Sequence, residues 1–264
     1  MSMMAGVTVA GTGAVVLPQL SGGHGRPAVK YAFHDDFRGP AGSAPNPALW
    51  TYDIGGGGWG NNELEVYTAS RANSFLDGQG HLVIRATKDV TWTGHRAQTT
   101  YYSARLKTQN SFSQYQGTFE ARIKLSAHKG LWPAWWMMGQ NISQVGWPAC
   151  GEVDMLENYG ERYVETTVHT PNQDDSGTLS SYGTVPVNDG WHVWTVVWDN
   201  AGFRFYRDGR AYLTVTPGDL QDWCFSSGEP MFMLLNLAVG GTAGPLPRGT
   251  KFPVDMLVDY VRVW

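Results

Sequence analysis

The stretch Gly117-Thr-Phe-Glu-Ala-Arg-Ile-Lys-Leu125 alternates apolar and polar side chains without a break. Phe119, Ala121, Ile123 and Leu125 share one parity, and the charged residues between them share the other. Successive side chains of a β-strand point to opposite faces of the sheet. The pattern therefore predicts a strand that packs one face against a core and turns the other toward water.

Similar short runs lie on both sides of this strand. Phe203–Val215 places Asp208-Gly209 between two β-rich arms, which is the strongest short-range signal of a hairpin. Other strands are predicted at Leu82–Thr87, Tyr101–Thr108, Glu152–Asn158, His192–Trp198, Met231–Val239 and Met256–Val263. Because no long amphipathic helix separates them, we expect an all-β fold in which two antiparallel sheets pack face to face.

Composition narrows the function. The chain has 264 residues, only 16% of them charged, and a net charge of -4. This balance gives no basic surface for nucleic acid or for an anionic membrane. The 12 tryptophans and 12 tyrosines suit a surface that binds sugar rings.

The first 28 residues differ in character from the rest of the chain. Met3–Leu17 is an apolar run of signal-peptide length, too short to span a bilayer. We therefore expect residues 1–28 to be a signal-like or disordered segment of a secreted, extracellular protein that has no membrane anchor in its mature form. Residues 29–264 are predicted to form one catalytic domain, with Gly55–Gly58 as a functional loop inside it.

The two cysteines carry little information. Cys150 and Cys224 could form one disulfide or remain two thiols, and we favour the thiols. They lack the neighbouring cysteine or histidine ligands that a structural zinc site needs.

The segment Trp147–Asn158 holds three carboxylates within six residues of an apolar, strand-forming stretch. Glu152 and Asp154 have the same parity, whereas Glu157 would face the opposite side of a regular strand. A β-bulge near Met155-Leu156, which adds one residue, would bring all three to one face. Such a break in parity is unexpected for a merely solvated polar face.

Three carboxyl groups on one face repel one another, so their pKa values should separate. Glycoside hydrolysis needs this separation, because one carboxylate must attack the anomeric carbon while another carboxylic acid protonates the leaving oxygen. Two alternatives remain at this point: a solvated acidic face, and a calcium or magnesium site.

These motifs resemble glycoside hydrolase family 16, whose bulged signature Glu-x-Asp-x-x-Glu matches Glu152, Asp154 and Glu157. Within the family the chain looks closest to bacterial laminarinases, which are endo-1,3-β-glucanases. The motifs that carry this likeness are Gly58–Leu64, Ser103–Arg105, Gly130–Met137, Trp147–Glu152, Leu235–Gly241 and Val258–Val263. The resemblance implies a jelly-roll sandwich of the concanavalin A type, with a substrate cleft on its concave sheet.

The resemblance also implies roles for individual residues. Glu152 would be the nucleophile, Asp154 its modulator and Glu157 the acid/base of a retaining double displacement. Trp132, Trp136 and Trp147 are candidates for stacking on sugar rings, whereas Trp135 has the opposite parity to the first two. The polar candidates for substrate binding are Asn61, Arg105, His169 and Asn236.

No cofactor is expected for catalysis, but relatives often hold a structural calcium on the convex face, here at Asp36, Gly80 and Asp259. The expected partner is a β-glucan polysaccharide, bound by a monomer. Agar- or carrageenan-cleaving activity, mixed-linkage β-glucanase activity and a non-catalytic sugar-binding module on the same fold are the alternatives.

Overall fold

The computed structural model describes residues 29–125, 128–171, 185–186 and 190–264. The predicted signal-like segment at residues 1–28 lies outside the described residues. The described chain is almost entirely β-structure, with one short helix, α1 (Ile142–Val145), and a 3-10 turn at Gly241–Ala243. No helix in these ranges has both the length and the apolar character to cross a membrane.

Ten of the described strands form the first sheet. They are β1 (Phe33–Asp35), β3 (Glu65–Tyr67), β4 (Ser74–Leu76), β5 (Leu82–Thr93), β6 (Arg96–Ser103), β8 (Gly117–Lys124), β13 (Trp191–Asp199), β14 (Gly202–Arg207), β15 (Arg210–Val215) and β17 (Val254–Val263). The main order is β15-β14-β13-β8-β17-β5-β6-β3, with β1 paired to β17 and β4 paired to β5.

Seven described strands form the second sheet. They are β2 (Thr51–Asp53), β7 (Arg105–Lys107), β9 (Leu131–Gly139), β10 (Glu152–Glu157), β11 (Tyr163–His169), β12 (Val185–Pro186) and β16 (Met231–Val239). Their order is β12-β11-β10-β9-β16-β7-β2. The predicted all-β sandwich is confirmed.

The two faces of the second sheet separate cleanly on β9. Trp135 and Met137 are fully buried in the main core between the sheets, together with Phe119 and Ile123 of β8. Trp136 lies in a separate cluster on the opposite face. The parity of β9 therefore assigns one tryptophan to the core and its neighbour to the outer face, as the sequence predicts.

Most predicted strands are confirmed, and the Asp208-Gly209 hairpin joins β14 to β15 with positive φ at both turn residues. The prediction of one strand over Tyr101–Thr108 was wrong. The chain ends β6 at Ser103, passes through the fully buried Ala104 and begins β7 in the other sheet. Alternation continues through such a crossing, so the pattern alone hides it.

Two other observations complete the fold. The sheets are antiparallel except where β3 runs parallel to β6, which the expectation of purely antiparallel sheets missed. Cys150 and Cys224 are unbonded thiols, as favoured from the sequence.

Candidate active site

The β-bulge predicted in the acidic segment is present on β10. Against β9, Asp154 pairs with Trp136 and Leu156 pairs with Trp135, so Met155 is the extra residue. The pairing with β11 shifts at the same place. The bulge turns the side chain of Glu157 to the face that already carries Glu152 and Asp154.

An open cleft of about 960 Å³ lies over this face. The three acids and all seven predicted substrate-binding residues line it: Asn61, Arg105, Trp132, Trp136, Trp147, Glu152, Asp154, Glu157, His169 and Asn236. They come from β7, β9, β10, β11 and β16 and from the loops at either end of these strands. The structure therefore brings together residues that are up to 175 positions apart in the chain.

Glu152 is the most accessible of the three acids, being partly exposed at the start of β10. The indole of Trp147 donates a hydrogen bond of 2.5 Å to its Oε2. Trp147 itself is 55% exposed and its ring lies 5.8 Å from that of His169. This partly exposed carboxylate lines the cleft and has lone pairs that can reach a ligand there.

Asp154 is buried beside Glu152. Burial raises the pKa of Asp154 well above its ordinary value, and the charge of Glu152 and a hydrogen bond with Glu152 add to the effect. His169 Nε2 lies 3.0 Å from Asp154 Oδ2. The surroundings of Asp154 therefore favour its protonated form, whereas Glu152 is partly exposed to the cleft.

Glu157 is also buried, at 6% exposure. Burial raises the pKa of Glu157 well above its ordinary value, and the charges of Asp154 and Glu152 raise it further. Hydrogen bonds from Trp132 and Tyr159 act in the opposite direction. The result is a carboxylic acid that keeps its proton at a pH where an exposed glutamate has lost it.

Aromatic and amide groups form the floor beside the acids. Trp136 Nε1 donates to Asn236 Oδ1 at 2.8 Å, and Asn236 Nδ2 donates to the Tyr67 hydroxyl at 3.1 Å. Arg105 stacks on Trp136 and on Trp59, with its Cζ 4.6 Å and 5.1 Å from the ring centroids. These contacts fix the orientation of the indoles that a sugar ring would meet.

The glycine-rich loop between β2 and β3 forms one end of the cleft. Asn61 Nδ2 donates to Glu63 Oε1 at 3.2 Å, and the hydroxyl of Tyr67 donates to Glu63 Oε2 at 3.1 Å. A Cβ on Gly241 would lie 2.9 Å from the Asn61 carbonyl oxygen and 3.1 Å from Glu63 Cγ. Only glycine, at φ +58°, allows the 3-10 turn to approach this loop so closely.

Comparison with known proteins identifies this arrangement. The family model described as glycosyl hydrolases family 16 matches residues 62–260, which include all three acids. The chain belongs to glycoside hydrolase family 16. The match covers the sandwich from the cleft loop to the last strand, and so supports the resemblance drawn from the motifs.

Three similar proteins illustrate the likeness. The β-glucanase of Rhodothermus marinus is 35% identical over 237 residues, which cover 83% of this chain and 80% of that protein. The solved endo-β-1,3-glucanase of Pyrococcus furiosus is 39% identical, with a TM-score of 0.78 over 89% of this chain and 93% of its own. The laminarinase catalytic domain of Thermotoga maritima is 34% identical, with the same TM-score over 89% and 97%.

The family 16 cleft contains further residues that were not among the predicted site residues. They are Trp59, Gly60, Glu63, Ala134, Met138, Tyr159, Glu161, Glu165, Thr167, Thr242 and Ala243. Parity could have found several of them, because Glu165 and Thr167 alternate with His169 on β11 and pair with Glu157 and Asp154. Tyr159 follows the strand and leaves no periodic signal.

A metal at the catalytic acids was an alternative from the sequence. One ligand atom each of Glu152, Asp154 and His169 lie within 4.8 Å of one another. The Trp147 indole donates to Glu152, however, and His169 bonds to Asp154. These contacts engage one oxygen of each carboxylate and one ring nitrogen of the histidine without a metal.

The residues predicted for calcium lie away from the cleft, on the first sheet of the family 16 fold. Asp35 pairs with Val261 and Leu82 pairs with Val258, which places Asp36 and Gly80 near Asp259. Arg122 takes Asp259 Oδ2 at 2.6 Å, so the second carboxylate oxygen and backbone carbonyls form the remaining donor set. Oxygen donors with little negative charge fit a weak calcium site.

Proposed function

We propose that this family 16 protein is a retaining, endo-acting hydrolase of β-1,3-glucan of the laminarin type. One observation carries the proposal. Three carboxyl groups share one face of a bulged strand in an open cleft, and their surroundings differ. Glu152 is partly exposed, whereas burial raises the pKa of Asp154 and of Glu157 well above their ordinary values.

In the first half-reaction, a carboxylate oxygen of Glu152 attacks the anomeric carbon of the sugar. The glycosidic C–O bond breaks, and the leaving oxygen takes the proton of Glu157. The products are a glycosyl ester of Glu152 and a released chain end. The raised pKa of Glu157 supplies the required acid near neutral pH.

In the second half-reaction, water enters from the side of the released chain. Glu157, now a carboxylate, accepts a proton from this water as its oxygen attacks the anomeric carbon. The ester bond to Glu152 breaks and both acids return to their starting states. Two inversions give net retention of the β-configuration.

Asp154 is proposed to control the nucleophile. In its protonated form it hydrogen-bonds Glu152, and this contact together with the Trp147 indole holds the attacking carboxylate in one orientation. His169 Nε2 contacts Asp154 Oδ2 and so fixes the carboxyl group of Asp154 in turn. The nucleophile is therefore oriented by three neighbours before any substrate binds.

Binding of a polymer in mid-chain needs an open cleft with apolar surfaces. Trp132, Trp136 and Trp147 are proposed to stack on sugar rings, and Asn61, Arg105, His169 and Asn236 to bond their hydroxyls. The flat indoles suit the apolar faces of β-linked glucose. Because one chain supplies all of these residues, we propose a monomer, which light scattering can test.

The test is reducing-end release from linear β-1,3-glucan, with mixed-linkage β-glucan and agarose in parallel. We expect preferential cleavage of the β-1,3-glucan. Glu157→Gln should lower turnover by about 10²- to 10⁴-fold, and Glu152→Gln by at least as much. Glu229→Gln, which lies outside the cleft, is the matched control. Binding of glucan without turnover would point instead to a sugar-binding module.

A second experiment separates the two roles. An aryl β-glycoside with a dinitrophenolate leaving group needs no acid for the first step. Glu157→Ala should therefore give a burst of dinitrophenol and accumulate the glycosyl-enzyme, and azide should release it as a β-glycosyl azide. Glu152→Ala should give neither. The reverse pattern would exchange the assignments.

A calcium ion is a separate proposal. Asp259 and the backbone oxygens of Asp36 and Gly80 would hold it on the first sheet, where it would stabilise the junction of three chain segments. It takes no part in the reaction, because the candidate donors lie outside the cleft.

A further inference from the structure

The cleft is lined by more acid than the reaction uses. Its described carboxyl groups are Glu63, Glu152, Asp154, Glu157, Glu161 and Glu165. The basic side chains among the described lining residues are Arg105 and His169. The proposed mechanism accounts for three of the six acids, and Glu63 is bonded to Asn61 and Tyr67. Glu161 and Glu165 remain without a role.

The positive charge in the cleft is compensated locally. Arg105 Nε lies 3.1 Å from Asp53 Oδ2, and its guanidinium stacks on two indoles. His169 is bonded to Asp154. Neither group is therefore placed to offset Glu161 and Glu165, which lie beyond Glu157 on the other side of the acids.

Glu161 and Glu165 form one wall at the Glu157 end. Glu165 on β11 pairs directly with Glu157, and Glu161 lies in the turn that precedes this strand. Glu161 is exposed and Glu165 is partly exposed. The charge of Glu161 acts on Glu165, because it raises the pKa of that carboxyl together with burial. Because their charges interact with each other, the two carboxylates also repel an anionic ligand at this wall.

Two basic residues close to this wall, Lys129 and Arg162, do not offset the negative charge of Glu161 and Glu165 within the cleft. The backbone of Lys129 packs against Gly160, and Arg162 follows Glu161 in the chain. Neither cation is among the described residues that line the cleft. A ligand at the Glu157 end therefore meets the carboxyl groups of Glu157, Glu161 and Glu165 and the rings of Trp132 and Tyr159.

Uncharged sugars and anionic sugars respond differently to such a wall. Hydroxyl groups can donate hydrogen bonds to carboxylates, and ring stacking does not depend on ligand charge. Sulfate or carboxylate groups on a glycan are repelled, and they lose their hydration without gaining a cationic partner. The same wall thus favours one class of polysaccharide and disfavours the other.

We propose that Glu161 and Glu165 make the Glu157 end of the cleft a charge filter, which admits neutral β-glucans and rejects sulfated or carboxylated glycans. The inference rests on the proposed function, because it names the substrate class of the same cleft. It assigns these two residues a role in specificity, separate from the bond-breaking step.

The test compares neutral β-1,3-glucan with carboxymethylated β-1,3-glucan of the same backbone. The readout is the ratio of kcat/KM for the neutral and the carboxymethylated polymer. We expect the double variant Glu161→Gln and Glu165→Gln to lower this ratio about tenfold. We also expect high salt to lower it for the wild type, because salt screens the repulsion. Asp89→Asn with Glu229→Gln removes two charges outside the cleft and should leave the ratio unchanged.

An unchanged ratio in the double variant, or an equal fall in the control, would overturn the filter. Calorimetric binding of both polymers to the Glu152→Gln chain keeps the test independent of turnover. Weaker binding of the carboxymethylated polymer that the two glutamines abolish would support the filter even if the hydrolase proposal failed. Equal binding of the two polymers to the Glu152→Gln chain would refute the filter even if the hydrolase proposal held.

Discussion

The indole nitrogen of Trp132 donates a hydrogen bond of 2.8 Å to Oε1 of Glu157. The same ring lies 5.0 Å from the ring of Tyr159, which also bonds Glu157. Both donors stabilise the carboxylate form and oppose the effect of burial on its pKa. Trp132 thus joins two tasks, stacking on substrate and adjusting the acid.

Trp132→Phe separates these tasks. Removing the donor raises the pKa of Glu157 further, and the first half-reaction needs its protonated form. The basic limb of kcat/KM should therefore move to higher pH, while the smaller ring lowers kcat/KM by about 3- to 10-fold. Trp147→Phe removes an indole donor from Glu152 instead and should leave the basic limb in place. A basic limb that moves to lower pH in Trp132→Phe would contradict the assignment.

Adjacent tryptophans of β9 provide a matched pair. Trp135 is fully buried between the sheets and its indole nitrogen has no partner within the described structure. Trp136 faces the cleft and bonds Asn236. We expect Trp135→Phe to lower the free energy of unfolding by about 1–3 kcal/mol with little change in KM. Trp136→Phe should raise KM, and urea unfolding with steady-state kinetics distinguishes the two.

Period-two alternation predicted most of the sandwich, because a strand with one buried face must alternate. It located the acidic strand and, through its broken parity at Met155, the bulge. It could not place the crossing at Ala104, because a chain can change sheets without a break in alternation. The parallel pairing of β3 with β6 depends on contacts distant in sequence, which periodicity does not encode.

The sequence predicted part of the candidate site, and the folded chain was needed for the rest. The substrate-binding candidates that stand within motifs, such as Trp132 and Asn236, all line the cleft. Glu161 and Tyr159 do not alternate with any strand, so only the folded chain shows that they line the same cleft. Glu63 lies inside the Gly58–Leu64 motif. Its hydrogen bonds to Asn61 and Tyr67, however, depend on how the glycine-rich loop folds back.

The proposed calcium site predicts a difference between two aspartates of β17. Asp255 bonds Arg85 and Asp259 bonds Arg122, each as an exposed or half-exposed ion pair. Substitution of either by asparagine removes an ion pair worth about 1 kcal/mol or less. Only Asp259→Asn should also abolish the fall in Tm that a chelator causes in the wild type. A wild type whose Tm is unaffected by the chelator would refute the site.

The buried carboxyl group of Glu65 should make the free energy of unfolding depend on pH. Glu65 is 1% exposed, and its Oε2 accepts a hydrogen bond of 2.6 Å from the Val239 backbone nitrogen. Burial, with Glu63 beside it, raises the pKa of Glu65 to about 8. A carboxyl whose pKa is higher in the folded than in the unfolded state stabilises the fold fully below the unfolded value of about 4.3. That contribution is lost as pH rises toward 8.

Glutamine mimics the protonated form and keeps an oxygen for Val239. Glu65→Gln should therefore match the wild type near pH 4 and exceed it by roughly 4–5 kcal/mol at pH 8, since nearly four pKa units separate the two values and each is worth about 1.4 kcal/mol. Urea unfolding across this range measures the gap, and Asp89→Asn, an exposed acid on β5, should show none. A variant less stable than the wild type at pH 8 would mean that the folded chain holds Glu65 as a stabilised carboxylate, and the buried acid would then have an unrecognised cationic partner.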